Sequence, residues 1–133
     1  MEQFVRTVLS QYTGYVSEAQ LYERWLSARE NMEMRQALTL VEMKVTTVQS
    51  WFNLLNTDER FVIQKHLIEE LEWPRVAFEF IERWKGEFSR TERTLVQYQA
   101  SAIRKIVAFT TQHKDLLIPL FGNLEGEDES SEI

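Results

Sequence analysis

The sequence predicts an all-α fold, and three observations support that prediction. The 133 residues include only four glycines and two prolines, which are too few for the turns that a sheet needs. Leucine, glutamate, arginine, glutamine and alanine are plentiful, and these residues favour helices. Apolar side chains also recur at steps of three and four, which places them on one face of a helix. We expect N-terminal long helices followed by a unit of three helices.

The composition excludes several classes of function. Cysteine is absent, which removes disulfides, thiolate zinc sites and cysteine nucleophiles, and fits a reducing compartment. The first residues include an acid, Glu2, and no apolar run that is long enough for a signal peptide. No stretch approaches the roughly 20 apolar residues of a membrane span. We therefore expect a cytoplasmic protein with no membrane partner.

A short first helix is expected over residues 2–12. Thr13 and Gly14 end it, and Ser17 then caps the next helix, with Gln20 completing a capping box. From residue 17 to residue 55 neither proline nor glycine interrupts the sequence. This stretch therefore forms either one long helix or two helices.

The apolar residues of this stretch fall into two runs. The first contains Leu21, Trp25, Ala28 and Met32, and the second contains Leu38, Val41, Val45, Val48, Phe52 and Leu55. The helical phase slips between the runs, so we expect a kink or a break around residues 33–37. The heptad-like second run supports helix pairing, either in a bundle core or between two copies of the chain. We interpret residues 1–55 as a helical assembly region.

Further helices are predicted within residues 56–121. Asn56 caps one of them, and Glu59 closes its capping box. Pro74 suits the first turn of the following helix, and Gly86 is expected to end it. The apolar cluster LLIPLF at 116–121 is too short to form a substantial helix and is expected to pack on the core or on a partner. The sequence of residues 122–133 predicts a disordered acidic tail, which serves solubility, mimics DNA or docks a partner.

The helix expected from Ser89 to Phe109 has two contrasting faces. Ser89 and Glu92 form a capping box at its start. Its apolar face carries Leu95, Tyr98, Ala102, Ile106 and Phe109. Its polar face carries Arg90, Arg93, Thr94, Gln97, Ser101, Arg104 and Lys105. Arginines, hydroxyls and an amide on one face suit contact with nucleic acid, but the same pattern describes a solvated surface helix.

The distribution of charge bears on this choice. The chain has a net charge of −6, but the segment 74–105 holds seven bases and four acids, a net +3. The acidity therefore lies outside the helix that would contact DNA. A patch of +3 is modest, because phosphate contacts supply most non-specific affinity. Useful binding to DNA would need a dimer or a partner.

The sequence contains no constellation that indicates an enzyme. His66 and Glu70 could place two metal ligands on one helix face, but no third ligand is apparent, and a surface histidine beside an acid is expected instead. No phosphate-cradling glycine loop and no nucleophile elbow occurs. We expect no catalytic residue, no metal and no cofactor.

The order of these helices resembles sigma-factor region 4 and its phage relatives. NTDERFVIQKHLIEEL, at 56–71, is similar to the opening helix of that unit, and EWPRVAFEF, at 72–80, to the helix that follows. ERTLVQYQASAIRKI, at 92–106, resembles the recognition helix of the ArpU and RinA-type phage transcriptional regulators. The residues that match are Arg93, Thr94, Leu95, Tyr98, Ala102, Ile103, Lys105 and Ile106. One spacing departs, since Ala77 precedes Leu95 by eighteen positions and not by about ten as in the usual helix-turn-helix.

The resemblance implies a phage- or prophage-type regulator of transcription that binds double-stranded DNA. The recognition helix would enter the major groove, with Arg90, Arg93, Thr94 and Gln97 near base edges. The residues expected nearer to phosphates are Ser89, Thr91, Tyr98, Ser101, Arg104 and Lys105. Further partners would be a second copy of the chain, in a homodimer, and RNA polymerase or another regulator. The alternative is an acidic helical adaptor that binds a protein through the heptad run, the 116–121 cluster and the acidic tail, without contacting DNA.

Overall fold

The computed structural model of the protein describes residues 1–84 and 92–122. Over these residues the chain forms helices and no strand, so the all-α prediction is confirmed. The helices are α1 (Glu2–Ala28), α2 (Met32–Phe52), α3 (Thr57–Val62), α4 (Trp73–Arg83), α5 (Glu92–Gln112) and α6 (Lys114–Phe121). A π-helical segment, Ile63–Ile68, continues α3. No helix in these ranges is long and apolar enough to cross a membrane.

The first helix, α1, is continuous through Gly14, so the predicted end at Thr13 and Gly14 is wrong. Gly14 is exposed, and a Cβ added there would meet nothing within 4 Å. A glycine at such a position costs a helix only about 1 kcal/mol relative to alanine. The packing of α1 against α2 outweighs that cost. Ser17 consequently lies inside α1 and caps no helix.

The chain turns between α1 and α2 at residues 29–31, slightly before the predicted break at 33–37. Arg29 and Asn31 both adopt an extended backbone conformation. The Asn31 side chain accepts a hydrogen bond from the Met34 N–H at 2.9 Å and so caps α2. Because the connection is so short, α1 and α2 form an antiparallel hairpin.

The second apolar run lies in the interior of this hairpin. Leu38, Val41, Val48 and Leu55 are buried. The heptad-like spacing therefore supports packing within the chain. The first run is largely exposed, since Leu21, Trp25 and Met32 are 43%, 47% and 76% exposed. The residues that α1 buries at this end are Tyr15, Ala19 and Leu26, which are spaced by four and seven and face α2.

Two of the helices after residue 55, α3 and α4, begin where the sequence predicted. Asn56 accepts from the Glu59 N–H and Glu59 accepts from the Asn56 N–H, both at 2.9 Å, which confirms the capping box. Pro74 lies in the first turn of α4. The predicted features at Gly86 and Ser89 lie outside the described residues, and α5 extends beyond Phe109 to Gln112.

Two apolar clusters hold the helices together. The larger cluster contains side chains from α1, α2, the π-helical segment, α5 and α6, so residues on both sides of position 55 share it. The smaller cluster joins α3, α4 and α5 through Val62, Val76, Phe80 and Leu95. The expectation of no substantial helix at 116–121 is wrong. This stretch belongs to α6, and Phe121 packs on the ring of Phe4 at 5.6 Å.

Candidate nucleic-acid interface

The rotation of α5 about its own axis determines which of the predicted site residues face outward. The predicted apolar face is confirmed, since Leu95, Ala102 and Ile106 are buried and Tyr98 and Phe109 are half-buried. The helix also buries Gln99, Ile103 and Thr110, which broadens this face. The opposite side of α5 is therefore the side available to a partner.

The outward line of α5 consists of Arg93, Gln97, Ala100 and Arg104. All four are exposed, and their spacing of four, three and four keeps them on one side of the helix. Ala100 lies at the middle of the line, where its small side chain permits close approach of a ligand. Thr94 is half-buried beside the line, and Arg90 lies outside the described residues.

Ser101 and Lys105 turn toward α3 and bind Glu59. Ser101 Oγ donates to Glu59 Oε2 at 2.7 Å, and Lys105 Nζ donates to Glu59 Oε1 at 2.7 Å. Glu59 is only 2% exposed. Ser101 and Lys105, which were expected to contact phosphates, thus have a partner for their polar groups within the chain.

Glu59 is ionised and connects α3 with α5. Burial raises the pKa of the Glu59 carboxyl, but the hydrogen bonds from Lys105, from the Asn56 N–H and from Ser101 outweigh burial and lower it overall. The carboxylate thus completes the cap of α3 and holds α5 in one rotation. That rotation places Arg93, Gln97 and Arg104 on the outside.

The outward line combines two guanidinium groups and one amide on a single rigid helix. Comparisons of the chain with protein-family models, with curated proteins and with solved structures found no match. The chemistry of the line is nevertheless informative. Arginine forms bidentate bonds with guanine or with phosphate, and glutamine forms them with adenine.

A second junction positions the same helix. His66 Nδ1 lies 2.6 Å from Gln99 Oε1, and because an amide oxygen only accepts, the histidine nitrogen donates. The His66 ring stacks on Trp73 with the ring centroids 3.8 Å apart. The prediction of a surface histidine beside Glu70 is therefore wrong, since His66 is half-buried and joins the π-helical segment to α4 and α5. The residues 1–84 and 92–122 contain no group of three or more metal-ligating side chains.

Two positioning residues, Glu59 and Gln99, escaped the sequence analysis. Glu59 was identified only as a capping residue, because the capping box with Asn56 already gives its carboxylate a hydrogen-bond partner close in sequence. Gln99 interrupts the apolar face of α5, and a polar residue at such a position signals a buried hydrogen-bond partner. The sequence could therefore have predicted that Gln99 has a buried hydrogen-bond partner, but it could not have identified His66 as that partner.

Proposed function

We propose that this chain is a DNA-binding regulator of transcription, with α5 as the recognition helix of a sigma-region-4-like helix-turn-helix unit. The observation that carries the proposal is the outward line of α5, in which Arg93, Gln97 and Arg104 flank the small Ala100. The resemblance of the sequence to phage regulators supports the same assignment. Ser101 and Lys105 are left out of the proposed contact because they bind Glu59.

The length of the line suits two kinds of contact with a duplex. At 1.5 Å per residue, Arg93 and Arg104 lie about 16 Å apart along the helix. Arg93 and Gln97, near the start of α5, would reach base edges in the major groove. Arg104 would reach a backbone phosphate. Two arginines neutralise few phosphates, so binding by one copy would be weak and would depend steeply on salt.

The test is the selection of bound sequences from a random pool of DNA duplexes, followed by anisotropy titrations at several salt concentrations. The variants are Arg93→Gln and Arg104→Gln, and the matched control is Arg24→Gln, an exposed arginine of α1. We expect Arg93→Gln to weaken sequence preference by about 1–3 kcal/mol. Arg104→Gln should weaken binding to all sequences and reduce the salt slope by about 0.9.

Two outcomes would refute the proposal. One is that the wild-type chain shows no salt-dependent binding to any duplex. The other is that Arg93→Gln and Arg104→Gln together bind duplexes as tightly as the Arg24→Gln control, because DNA would then contact a different surface.

A second candidate is an adaptor that binds a protein, and a groove between α2 and α6 favours it. The groove encloses about 540 Å³ and is lined by Thr39, Glu42, Met43, Thr46, Thr47, Leu116, Leu117 and Leu120. Leu116 is 75% exposed and Met43 is 50% exposed. An apolar groove of this kind fits the apolar face of a partner helix. The net charge of −6 also suits a protein partner better than DNA.

The adaptor is tested by affinity capture from an extract cleared of DNA. A stoichiometric partner that is lost with Leu116→Asp but retained with Leu21→Asp would support it. Leu21 is a suitable control because it is an exposed leucine of α1 that does not line the groove. Sedimentation of the purified chain would show whether a second copy occupies the groove. Absence of any partner that depends on Leu116 would exclude the adaptor.

A further inference from the structure

A second surface with its own chemistry lies at the corner between the end of α2, α3 with its π-helical continuation, and the end of α4. It is an open cleft of about 520 Å³, lined by Phe52, Thr57, Arg60, Phe61, Gln64, Lys65 and Arg83. Three of these side chains are cationic, and no acid occurs among the lining residues that the structure describes. The cleft contains no residue of α5 and is therefore separate from the outward line.

Specific contacts hold the two arginines at the cleft. Arg60 Nε donates to the carbonyl oxygen of Phe52 at 2.8 Å, which anchors the guanidinium beside the end of α2. The Arg83 guanidinium lies over two aromatic rings, 5.9 Å from the centroid of Phe61 and 5.6 Å from that of Trp84. Such cation–π contacts favour one placement of a side chain that would otherwise be mobile. Both guanidinium groups thus lie where a shared ligand could meet them.

Lys65 contributes less charge to the cleft than the arginines do. Its ammonium nitrogen lies 3.1 Å from Glu79 Oε1 and 3.4 Å from Glu69 Oε1. Hydrogen bonds from Arg75 and from Lys65 lower the pKa of the Glu79 carboxyl, so that carboxylate offsets the charge of Lys65. The positive charge that faces the cleft therefore comes mainly from Arg60 and Arg83.

We propose that this cleft binds a phosphate-bearing ligand, either a free nucleotide or a backbone phosphate of a nucleic acid. Guanidinium groups match the oxygens of a phosphate in paired hydrogen bonds, and two of them would share its charge. The Thr57 hydroxyl and the Gln64 amide add neutral donors at the same cleft. Phe52 and Phe61 supply an apolar wall for a base or a sugar. The volume lies within the range of about 300–1,000 Å³ that is typical of small-molecule sites.

The test is a nuclear magnetic resonance titration of the full chain with labelled arginine. The Nε–H signals of Arg60 and Arg83 report on the cleft, and the signal of Arg24 in α1 is the internal control. The probes are inorganic pyrophosphate, adenosine monophosphate and a short DNA duplex. Saturable shifts with pyrophosphate or the nucleotide support a free phosphate ligand, whereas saturable shifts with the duplex alone support a backbone phosphate.

Variants make the test specific. We expect Arg83→Gln and Arg60→Gln each to weaken binding of the probe at least tenfold, while Arg24→Gln leaves it unchanged. Arg83 and Arg60 are exposed, and thermal melting of the variants checks that they remain folded. The proposal is overturned if no probe shifts Arg60 and Arg83 more than Arg24. It is equally overturned if Arg83→Gln and Arg60→Gln bind as tightly as the wild type.

The cleft and the outward line of α5 can be tested separately. In the double variant Arg93→Gln with Arg104→Gln, the cleft should still bind pyrophosphate or the nucleotide with unchanged affinity. Loss of the signals at Arg60 and Arg83 in that variant would refute an independent cleft. Conversely, if the cleft binds its probes while the α5 variants show no loss of DNA binding, that result would refute only the proposed function.

Discussion

Replacement of Glu59 tests whether this carboxylate holds α5 in its observed rotation. Glu59→Ala removes the acceptor for the Asn56 N–H, for Ser101 Oγ and for Lys105 Nζ at once. Glu59→Gln keeps an oxygen for the cap, because glutamine also completes a capping box, but it removes the negative charge. The two variants therefore separate the cap from the ion pair.

The expected loss in the free energy of unfolding is about 3–4 kcal/mol for Glu59→Ala. Removing one partner of a buried ion pair costs about 3–5 kcal/mol, and losing a cap costs about 1 kcal/mol. The Lys105 side chain is 44% exposed, however, so water screens the pair and hydrates the ammonium in the variant. The expected loss is therefore smaller than the sum of these two contributions. For Glu59→Gln we expect about 1–2 kcal/mol, since the amide oxygen still accepts from the Asn56 N–H and from Lys105 Nζ but carries no charge. The amide NH2 cannot accept the bond that Ser101 Oγ donates to Glu59 Oε2, and it would have to donate to that hydroxyl instead.

Urea denaturation at neutral pH measures both losses, with an unchanged slope as the sign that only stability has altered. Glu23→Gln, an exposed acid of α1, is the control and should change stability by less than about 0.5 kcal/mol. A double-mutant cycle between Glu59→Gln and Lys105→Met isolates the ion pair. A loss of less than about 1 kcal/mol for Glu59→Ala would contradict the structural role of the carboxylate.

The pH dependence of the loss provides a further check. The pKa of Glu59 is lower in the folded chain than its ordinary value of 4.5. Its contribution to stability is therefore complete above 4.5 and is lost as the pH falls through the folded pKa. The difference between the wild type and Glu59→Gln should be full at neutral pH and should shrink below pH 4.5. A difference that stayed constant into acid would contradict the assignment.

Substitutions at three other positions test local features of the fold. Gly14→Ala should raise the free energy of unfolding, measured by thermal melting, by about 0.5–1 kcal/mol. The reason is that the helix continues through this exposed glycine and a Cβ added there meets nothing within 4 Å. A decrease would mean that α1 is interrupted there. Asn31→Ala should lower the free energy of unfolding by about 1 kcal/mol through loss of the α2 cap, whereas Asn31→Asp should retain most of it; equal losses would exclude capping. His66→Ala should cost about 1–3 kcal/mol because it leaves Gln99, only 5% exposed, without its partner. His66→Phe, which retains an aromatic ring against Trp73, separates the stack from the hydrogen bond in the same urea titration.

Features that involve only residues within one turn of a helix were predictable from the sequence. The capping box of Asn56 and Glu59 and the start of α4 at Pro74 involve residues within a few positions of each other, and both are confirmed. The cap at Asn31 belongs to the same class, but the sequence analysis did not identify it. Ser17 caps nothing, because the helix around it is already stabilised by its partner.

Features that depend on a partner helix were not predictable in this way. Trp25 is exposed, whereas Leu26, the next residue, is buried. The sequence alone does not show which of the two side chains faces α2. Ser101 and Lys105 have the composition of a solvated or DNA-contacting edge, yet they bind a carboxylate 42 and 46 positions earlier in the chain. Periodicity defines the faces of a helix, but it does not name what each face meets.

Composition and local spacing are thus sufficient for the all-α class, for the starts of α3 and α4 and for the apolar face of α5. These properties arise from short-range backbone preferences and from the periodicity of a helix, which act within one segment. The packing of the helices adds the rotation of α5, through the contacts of its Ser101 and Lys105 with Glu59 and of its Gln99 with His66. That rotation selects Arg93, Gln97 and Arg104 as the exposed line, because a buried carboxylate and a buried amide are stable only with their partners in place.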